Sequence, residues 1–133
     1  MTSLNVSRFA LQSENRSWLR GPHGTEPGAN ANITLDIPKF AGLHPNGFVP
    51  SGTLVALDPA TKKYVPYDPA GTDGSEVPAG FLFGSLTIAE GATVVGGALY
   101  AHGFVNADKL PLKTGKGALD TAARTALPHI IFE

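Results

Sequence analysis

Cysteine is absent from the 133-residue sequence. This absence excludes a disulfide framework, a zinc site with cysteine ligands and catalysis by a thiol. Charged residues are also scarce, because they make up 16% of the chain, against about 25% in an average globular protein. The exposed surface must therefore be rich in uncharged polar groups, glycine, proline or apolar side chains, and exposed apolar side chains would suit burial against partners.

The sequence also lacks an excess of charge of either sign and a long apolar run. Ten Lys and Arg against eleven Asp and Glu give a formal net charge of -1. The chain thus has no excess of positive charge with which to bind nucleic acid or an anionic membrane. Residues 1–20 contain no apolar run suited to a secretion signal. The longest weakly polar stretch, residues 92–100, is too short to span a bilayer. We expect no direct contact with nucleic acid and none with a membrane.

Glycine and proline, by contrast, are plentiful, with 16 and 11 residues respectively. Proline is disfavoured inside helices and central strands, so this composition predicts many turns, short strands and little helix. The length suits one domain. The predicted fold class is mainly β: a compact small β-sandwich or barrel-like domain with one or two short helices and an extended N-terminal arm.

The pattern of the chain changes near residue 47. Residues 1–47 are polar and interrupted by Gly and Pro, and they contain one alternating strand, residues 32–37, which Pro38 should end or confine to a sheet edge. Residues 48–133 are predicted to form the β-rich body. Its expected strands lie at residues 52–57, 63–67, 80–88, 94–105 and 130–132. Asn106 should cap a short helical turn at 107–110, and the main helix is expected at 118–127, with Asp120 in its first turn.

Catalytic and metal-binding patterns do not assemble in this sequence. The four histidines are far apart and show no ligand spacing, and the acidic loop at residues 68–76 lacks the order of an EF-hand, so a solvated turn is the simpler interpretation. Ser51, Ser75 and Ser85 lie near glycine, but none occupies a GxSxG motif. Gly115-Lys116-Gly117 is not followed by Ser or Thr, as a phosphate-binding loop requires. We predict no enzymatic activity, no metal and no cofactor.

Large apolar side chains nevertheless occur in the polar N-terminal region. Phe9, Leu11, Trp18 and Leu19 are too few to form a core of their own. Two interpretations stay open: these side chains pack on the body, or they dock on another chain, as extended segments do when they add to a foreign sheet.

Over most of residues 48–133 the sequence resembles the lambda-type bacteriophage head decoration proteins, notably their relatives in phages of actinobacteria. The resemblance follows short motifs in a fixed order. In the arm it follows residues 14–19 and 34–36. The motifs in the body are Pro50-Ser51-Gly52-Thr53-Leu54, Tyr64-Val65-Pro66-Tyr67-Asp68, Thr72-Asp73-Gly74, Gly80-Phe81-Leu82-Phe83, residues 97–105, Lys109-Leu110-Pro111 and residues 119–132.

The resemblance implies a structural virion protein, made in the host bacterial cytoplasm. Such a protein decorates the outer surface of the capsid head as a homotrimer and stabilises it by binding the major capsid protein through N-terminal arms. The capsid contacts of the arm are predicted at Phe9, Leu11, Arg16, Trp18, Leu19, Arg20, Ile33, Leu35 and Ile37.

Two other functions are alternatives to the capsid role. The first is a virion or surface β-domain that binds a receptor or glycan, for which Tyr64, Tyr67 and Asp68 could supply an exposed aromatic and acidic cluster. The second is a small hydrolase, which would need a serine or metal site that the sequence does not show.

Overall fold

The computed structural model describes residues 15–25, 30–43, 47–89 and 91–132. Within these ranges the fold is mainly β, as predicted, with one short α-helix and two 3-10 turns, at Ile37–Phe40 and Ala107–Lys109. The strands are β1 (Ala31–Asp36), β2 (Phe48–Val49), β3 (Leu54–Asp58), β4 (Lys63–Pro66), β5 (Pro78–Leu82), β6 (Leu86–Thr87), β7 (Val94–Tyr100), β8 (Gly103–Val105) and β9 (Ile130–Phe132), and the helix is α1 (Thr121–Ala126).

Five strands close into a barrel in the order β1-β4-β3-β5-β7. β1 closes it, because it pairs antiparallel with β7 along six residues and parallel with β4 through Leu35 and Tyr64. The strand predicted at residues 32–37 is present at Ala31–Asp36, with Ile37 in the following 3-10 turn, and it is neither a sheet edge nor part of a detached arm. Pro38 lies in the first turn of the following 3-10 segment, where its missing N–H costs no ladder bond, and this ends the strand.

The barrel encloses the first of two apolar cores. Side chains from β1, β3, β5 and β7 point inward, and the 3-10 turn after β1 closes one end with a buried Phe40. The buried members of this inner core are Ile33, Leu35, Ile37, Phe40, Val49, Val55, Leu82 and Leu99. Because the ring is closed, none of these five strands is left as a free edge of the sheet.

The second core lies outside the barrel wall. Leu54, Phe81 and Tyr100 are each adjacent in sequence to an inner-core residue, so strand alternation turns them to the opposite face. That face is covered by residues 15–20, the parallel pair β8–β9 and α1, which we call the covering layer. The buried members of this outer core are Trp18, Leu54, Tyr67, Phe81, Tyr100, Val105, Leu110, Ala123, Leu127 and Ile130.

The helical segments follow local capping chemistry. Asn106 caps the 3-10 turn as predicted, since its side chain accepts a hydrogen bond from the Asp108 N–H. The helix is shorter than the predicted 118–127, and Asp120 is its N-cap rather than a first-turn residue. The Asp120 carboxylate accepts the Ala123 N–H at 2.7 Å, so the helix can begin only after Asp120.

Candidate functional site

Trp18, predicted to contact the capsid, lies in the outer core of its own chain. Its side chain is fully buried, and its ring centroid lies 5.7 Å from that of Phe81 and 5.4 Å from that of Tyr100. The indole Nε1 donates to the Ser51 Oγ at 3.1 Å, and that hydroxyl donates to the Phe83 carbonyl at 2.7 Å. Both the apolar surface and the polar atom of Trp18 are thus satisfied within the body.

Three further predicted contact residues are also buried. Ile33, Leu35 and Ile37 are 6%, 0% and 5% exposed and belong to the inner core. Leu19 is half-buried and forms an antiparallel bridge with Val105. Trp18 and Leu19 therefore pack on the body of their own chain, the first of the two interpretations given for them.

The two arginines of residues 15–20 lie at the surface. The Arg16 guanidinium carbon is 4.2 Å from the centroid of the Phe83 ring, a cation–π geometry. Arg20 is exposed, and its backbone N–H donates to the Phe104 carbonyl at 3.1 Å. Phe9 and Leu11 lie outside the described residues. The segment at 15–20 is thus held along β8 while its cations remain at the surface.

An apolar and aromatic patch occupies the solvent side of the covering layer. Phe104 and Ile131 are register partners in the β8–β9 pair and are 36% and 52% exposed. The His23 ring stacks on that of His102 with centroids 4.8 Å apart and 9° between planes, and it meets the Phe104 ring edge-on at 5.9 Å. We call Arg20, His23, His102, Phe104 and Ile131 the outer face.

Sequence reasoning did not find the outer face. His23 and His102 are separated by most of the chain, and only tertiary structure stacks them. A signal for the apolar part was present: β8 and β9 place Val105 and Ile130 toward the core, so their neighbours Phe104 and Ile131 must point outward.

The aromatic and acidic cluster considered for glycan or receptor binding is not assembled at the surface. Tyr67 is 1% exposed, and its hydroxyl donates to the Asp120 carboxylate, with O–O distances of 3.1 and 3.2 Å. Burial, followed by this hydrogen bond and the negative charge of Asp120, raises the pKa of Tyr67 above its ordinary value. The Tyr67 side chain therefore links the body to the N-cap of α1 and is too buried to contact a ligand.

The loop at residues 68–76 forms hydrogen-bonded turns. The Asp68, Asp73 and Glu76 carboxylates each accept a backbone N–H from within the loop. The Ser75 hydroxyl also donates to Asp73 at 2.7 Å, which lowers the pKa of that carboxyl below its ordinary range. In the described ranges no three His, Asp or Glu side chains are grouped so that they could hold a metal ion. The structure supports the interpretation of this loop as a turn.

The family model of the bacteriophage lambda head decoration protein D matches residues 38–130, more than two thirds of the chain's length. The chain belongs to this family. Comparisons with curated proteins and with solved structures gave no match. The family is one of structural capsid proteins, and the association of this decoration protein with a phage capsid follows from its membership.

The matched range does not include every element that this decoration protein needs for its fold. It covers the barrel strands β3, β4, β5 and β7, together with β8 and α1. Trp18 and β1 precede it, although Trp18 completes the outer core and β1 closes the barrel. No helix in the described part of the decoration protein has the length and apolarity needed to cross a membrane.

Proposed function

We propose that this decoration protein binds the outer surface of a phage head as a homotrimer and stabilises the head by contacting the major capsid protein. The observation that carries the proposal is the family match over residues 38–130. The role requires many weak contacts multiplied by symmetry and no catalysis, cofactor or metal. Three-fold closure would satisfy identical patches without open-ended growth.

The arm in this proposal is shorter than the region up to residue 47. Capsid contact by Trp18, Ile33, Leu35 or Ile37 would require the two cores to open, because all four are buried. The proposed contacts are therefore Phe9 and Leu11, ahead of the described residues, with Arg16, Leu19 and Arg20 at the base of the arm. The buried side chains fix that base on the body.

Three arms in one trimer would bind far more tightly than one. Once one arm is bound, the others are held near their sites at a high effective concentration, so modest contacts combine into strong capture. An extended arm loses entropy when it binds, but it can wrap a large surface. Removal of the arm should therefore reduce capsid binding much more than it reduces the stability of the body.

The test compares the full chain with a variant lacking residues 1–14 for binding to capsids of the cognate phage that lack decoration protein. We expect the variant to melt within a few degrees of the full chain and to bind capsids at least about tenfold more weakly. A second variant carries Phe9→Ala and Leu11→Ala in the full-length chain. It should reproduce part of the loss of binding.

Three results would contradict the proposal. Equal capsid binding by the full and shortened chains would remove the arm from the mechanism. A monomer mass by light scattering, both at high concentration in solution and after elution from capsids, would exclude the trimer. Failure of the full chain to bind capsids at all would refute the decoration role itself.

A further inference from the structure

We propose that Asp73-Gly74 is a latent site of spontaneous aspartate isomerisation, which Ser75 and Glu76 protect in the folded loop. It is the only Asp-Gly pair in the sequence. Glycine has no side chain to hinder the carboxyl group that precedes it, so an Asp-Gly pair is especially prone to this reaction. The proposal concerns chemical damage to the chain and does not depend on capsid binding.

The reaction needs only water as a co-reactant. The Gly74 nitrogen attacks the side-chain carboxyl carbon of Asp73 and closes a succinimide ring. The new N–C bond replaces a C–O bond, and that oxygen leaves as water together with the carboxyl proton and the amide proton. Another water then opens the ring at either carbonyl, which restores aspartate or yields isoaspartate. The rate therefore depends on protonation of the carboxyl group and on release of the amide proton.

The Asp73 carboxylate is held in its unreactive, charged form. Its Oδ1 accepts the Ser75 hydroxyl at 2.7 Å and the Ser75 N–H at 3.2 Å. These two hydrogen bonds, aided by the positive charge of Lys39, hold the pKa of the Asp73 carboxyl below its ordinary range. The neutral acid loses its oxygen as water far more readily than the anion does, so the lowered pKa leaves less of the reactive species.

The position of Ser75 is fixed by the rest of the loop. Ser75 is 7% exposed, and its carbonyl accepts the Asp68 N–H at 2.9 Å. Its hydroxyl lies so close to Gly71 that a Cβ added there would overlap the Ser75 Oγ. The hydroxyl therefore has little room to turn away from Asp73.

The attacking nitrogen is also engaged. The Gly74 N–H donates to the Glu76 Oε2 at 2.9 Å. A hydrogen bond to a charged acceptor is stronger than one to a neutral group, and the negative charge of Glu76 opposes loss of the amide proton. Ring closure removes that proton and breaks this bond, so Glu76 should raise the barrier to the reaction.

Packing around Gly74 acts in the same direction. An added Cβ at Gly74 would lie 2.7 Å from the Pro59 Cδ and 3.0 Å from the Leu57 carbonyl oxygen. The loop backbone thus packs closely on the end of β3 and the turn that follows it. Isoaspartate lengthens the main chain at residue 73 by one methylene group, and this close packing leaves little room for it.

The experiment compares the full-length natural chain with Ser75→Ala and Glu76→Ala, each folded and incubated at the same pH and temperature. Isomerisation is measured as the fraction of chains that an Asp-specific protease no longer cleaves before residue 73. Incubation in heavy-oxygen water gives a second readout, because each opening of the ring introduces an oxygen atom from the solvent. We expect each variant to isomerise about two- to tenfold faster, as expected for loss of a hydrogen bond.

Asp68→Ala is the matched control in the same loop. The Asp68 carboxylate accepts the Ala70 N–H at 3.0 Å, and that bond involves neither Asp73 nor Gly74. This variant should isomerise within about twofold of the natural chain. The natural chain unfolded in urea gives the unprotected rate and should isomerise faster than any folded form. Asn46-Gly47 can form the same ring by loss of ammonia, but cleavage at Lys63 places it in a different tryptic fragment.

Glu76→Gln keeps the test independent of folding defects at the buried Ser75, because residue 76 is exposed. It retains an oxygen acceptor without the charge, so its rate should lie between those of the natural chain and Glu76→Ala.

Three results would overturn the proposal. Equal rates in the folded and unfolded natural chain would mean that the loop gives no protection. Slower isomerisation of Glu76→Ala would make Glu76 a base that assists the attack. An equal gain in Asp68→Ala would assign the protection to the general order of the loop rather than to Ser75 and Glu76.

Discussion

Replacing Trp18 with alanine should strongly destabilise the free protein. The side chain is fully buried, packs against Phe81 and Tyr100, and donates one hydrogen bond to Ser51. Truncation of a buried tryptophan removes this packing and leaves a cavity, at a cost of about 3–5 kcal/mol. For a domain of this length that corresponds to a fall in melting temperature of about 10–20 °C.

A double-mutant cycle would divide this loss between packing and hydrogen bonding. Trp18→Phe keeps an aromatic ring but loses the Nε1 donor, and Ser51→Ala removes the acceptor that also donates to the Phe83 carbonyl. Each single variant should be destabilised. The coupling free energy between the two positions should be about 1 kcal/mol, the usual net contribution of a hydrogen bond.

The assay is urea unfolding followed by the fluorescence of Trp18, the single tryptophan of the chain, with circular dichroism for variants that lack it. Unfolding should be measured at several protein concentrations, since assembly would make the midpoint depend on concentration. A Trp18→Ala protein that melts within about 2 °C of the natural chain, a shift of well under 1 kcal/mol for this length, would refute the burial of Trp18. The role of this residue as a capsid anchor would then regain support.

Two further predictions follow from the structure. Tyr67→Phe should remove the hydrogen bond to Asp120 and cost about 1 kcal/mol at neutral pH. Because the folded-state pKa of Tyr67 is raised, its stabilising contribution is complete below the unfolded pKa of about 10 and is lost as pH rises toward the folded value. The natural chain should therefore lose stability above that pH, as followed by alkaline melting curves, and the Phe variant should lose less; parallel curves would contradict this. Gly52→Ala should destabilise more than Gly42→Ala in thermal melting. Both glycines have positive φ, +92° and +85°, but an added Cβ at Gly52 would lie 2.8 Å from the Pro111 Cδ, whereas the space at Gly42 is open. Equal losses would mean that backbone strain alone, about 1–2 kcal/mol, accounts for both.

Sequence periodicity and local chemistry correctly predicted many elements of the fold. Alternation of Ile33 and Leu35 identified β1, and the side chain of Asn106 caps the 3-10 turn as expected. These features depend on neighbours within a few residues, so the chain specifies them locally. Family membership was also accessible from the sequence, because ordered short motifs over residues 48–133 carried the resemblance.

The tertiary structure decided which surfaces each element meets. The alternation of β1 shows that one of its faces is buried, but it does not reveal whether that face meets a capsid or the interior of its own barrel. Pairing of β1 with both β7 and β4 answers this question. Trp18 was equally ambiguous in sequence, since burial of an indole is favourable in either a core or an interface.

The outer face depended entirely on long-range contacts. His23 and His102 stack only because the N-terminal segment runs along β8, and Phe104 and Ile131 become neighbours only because β9 returns to pair with the same strand. Composition established that the chain has few charges and no cysteine. Folding determined that the N-terminal segment, β8 and β9 come together in one layer, because pairing between distant strands, and not local propensity, sets which side chains share a surface.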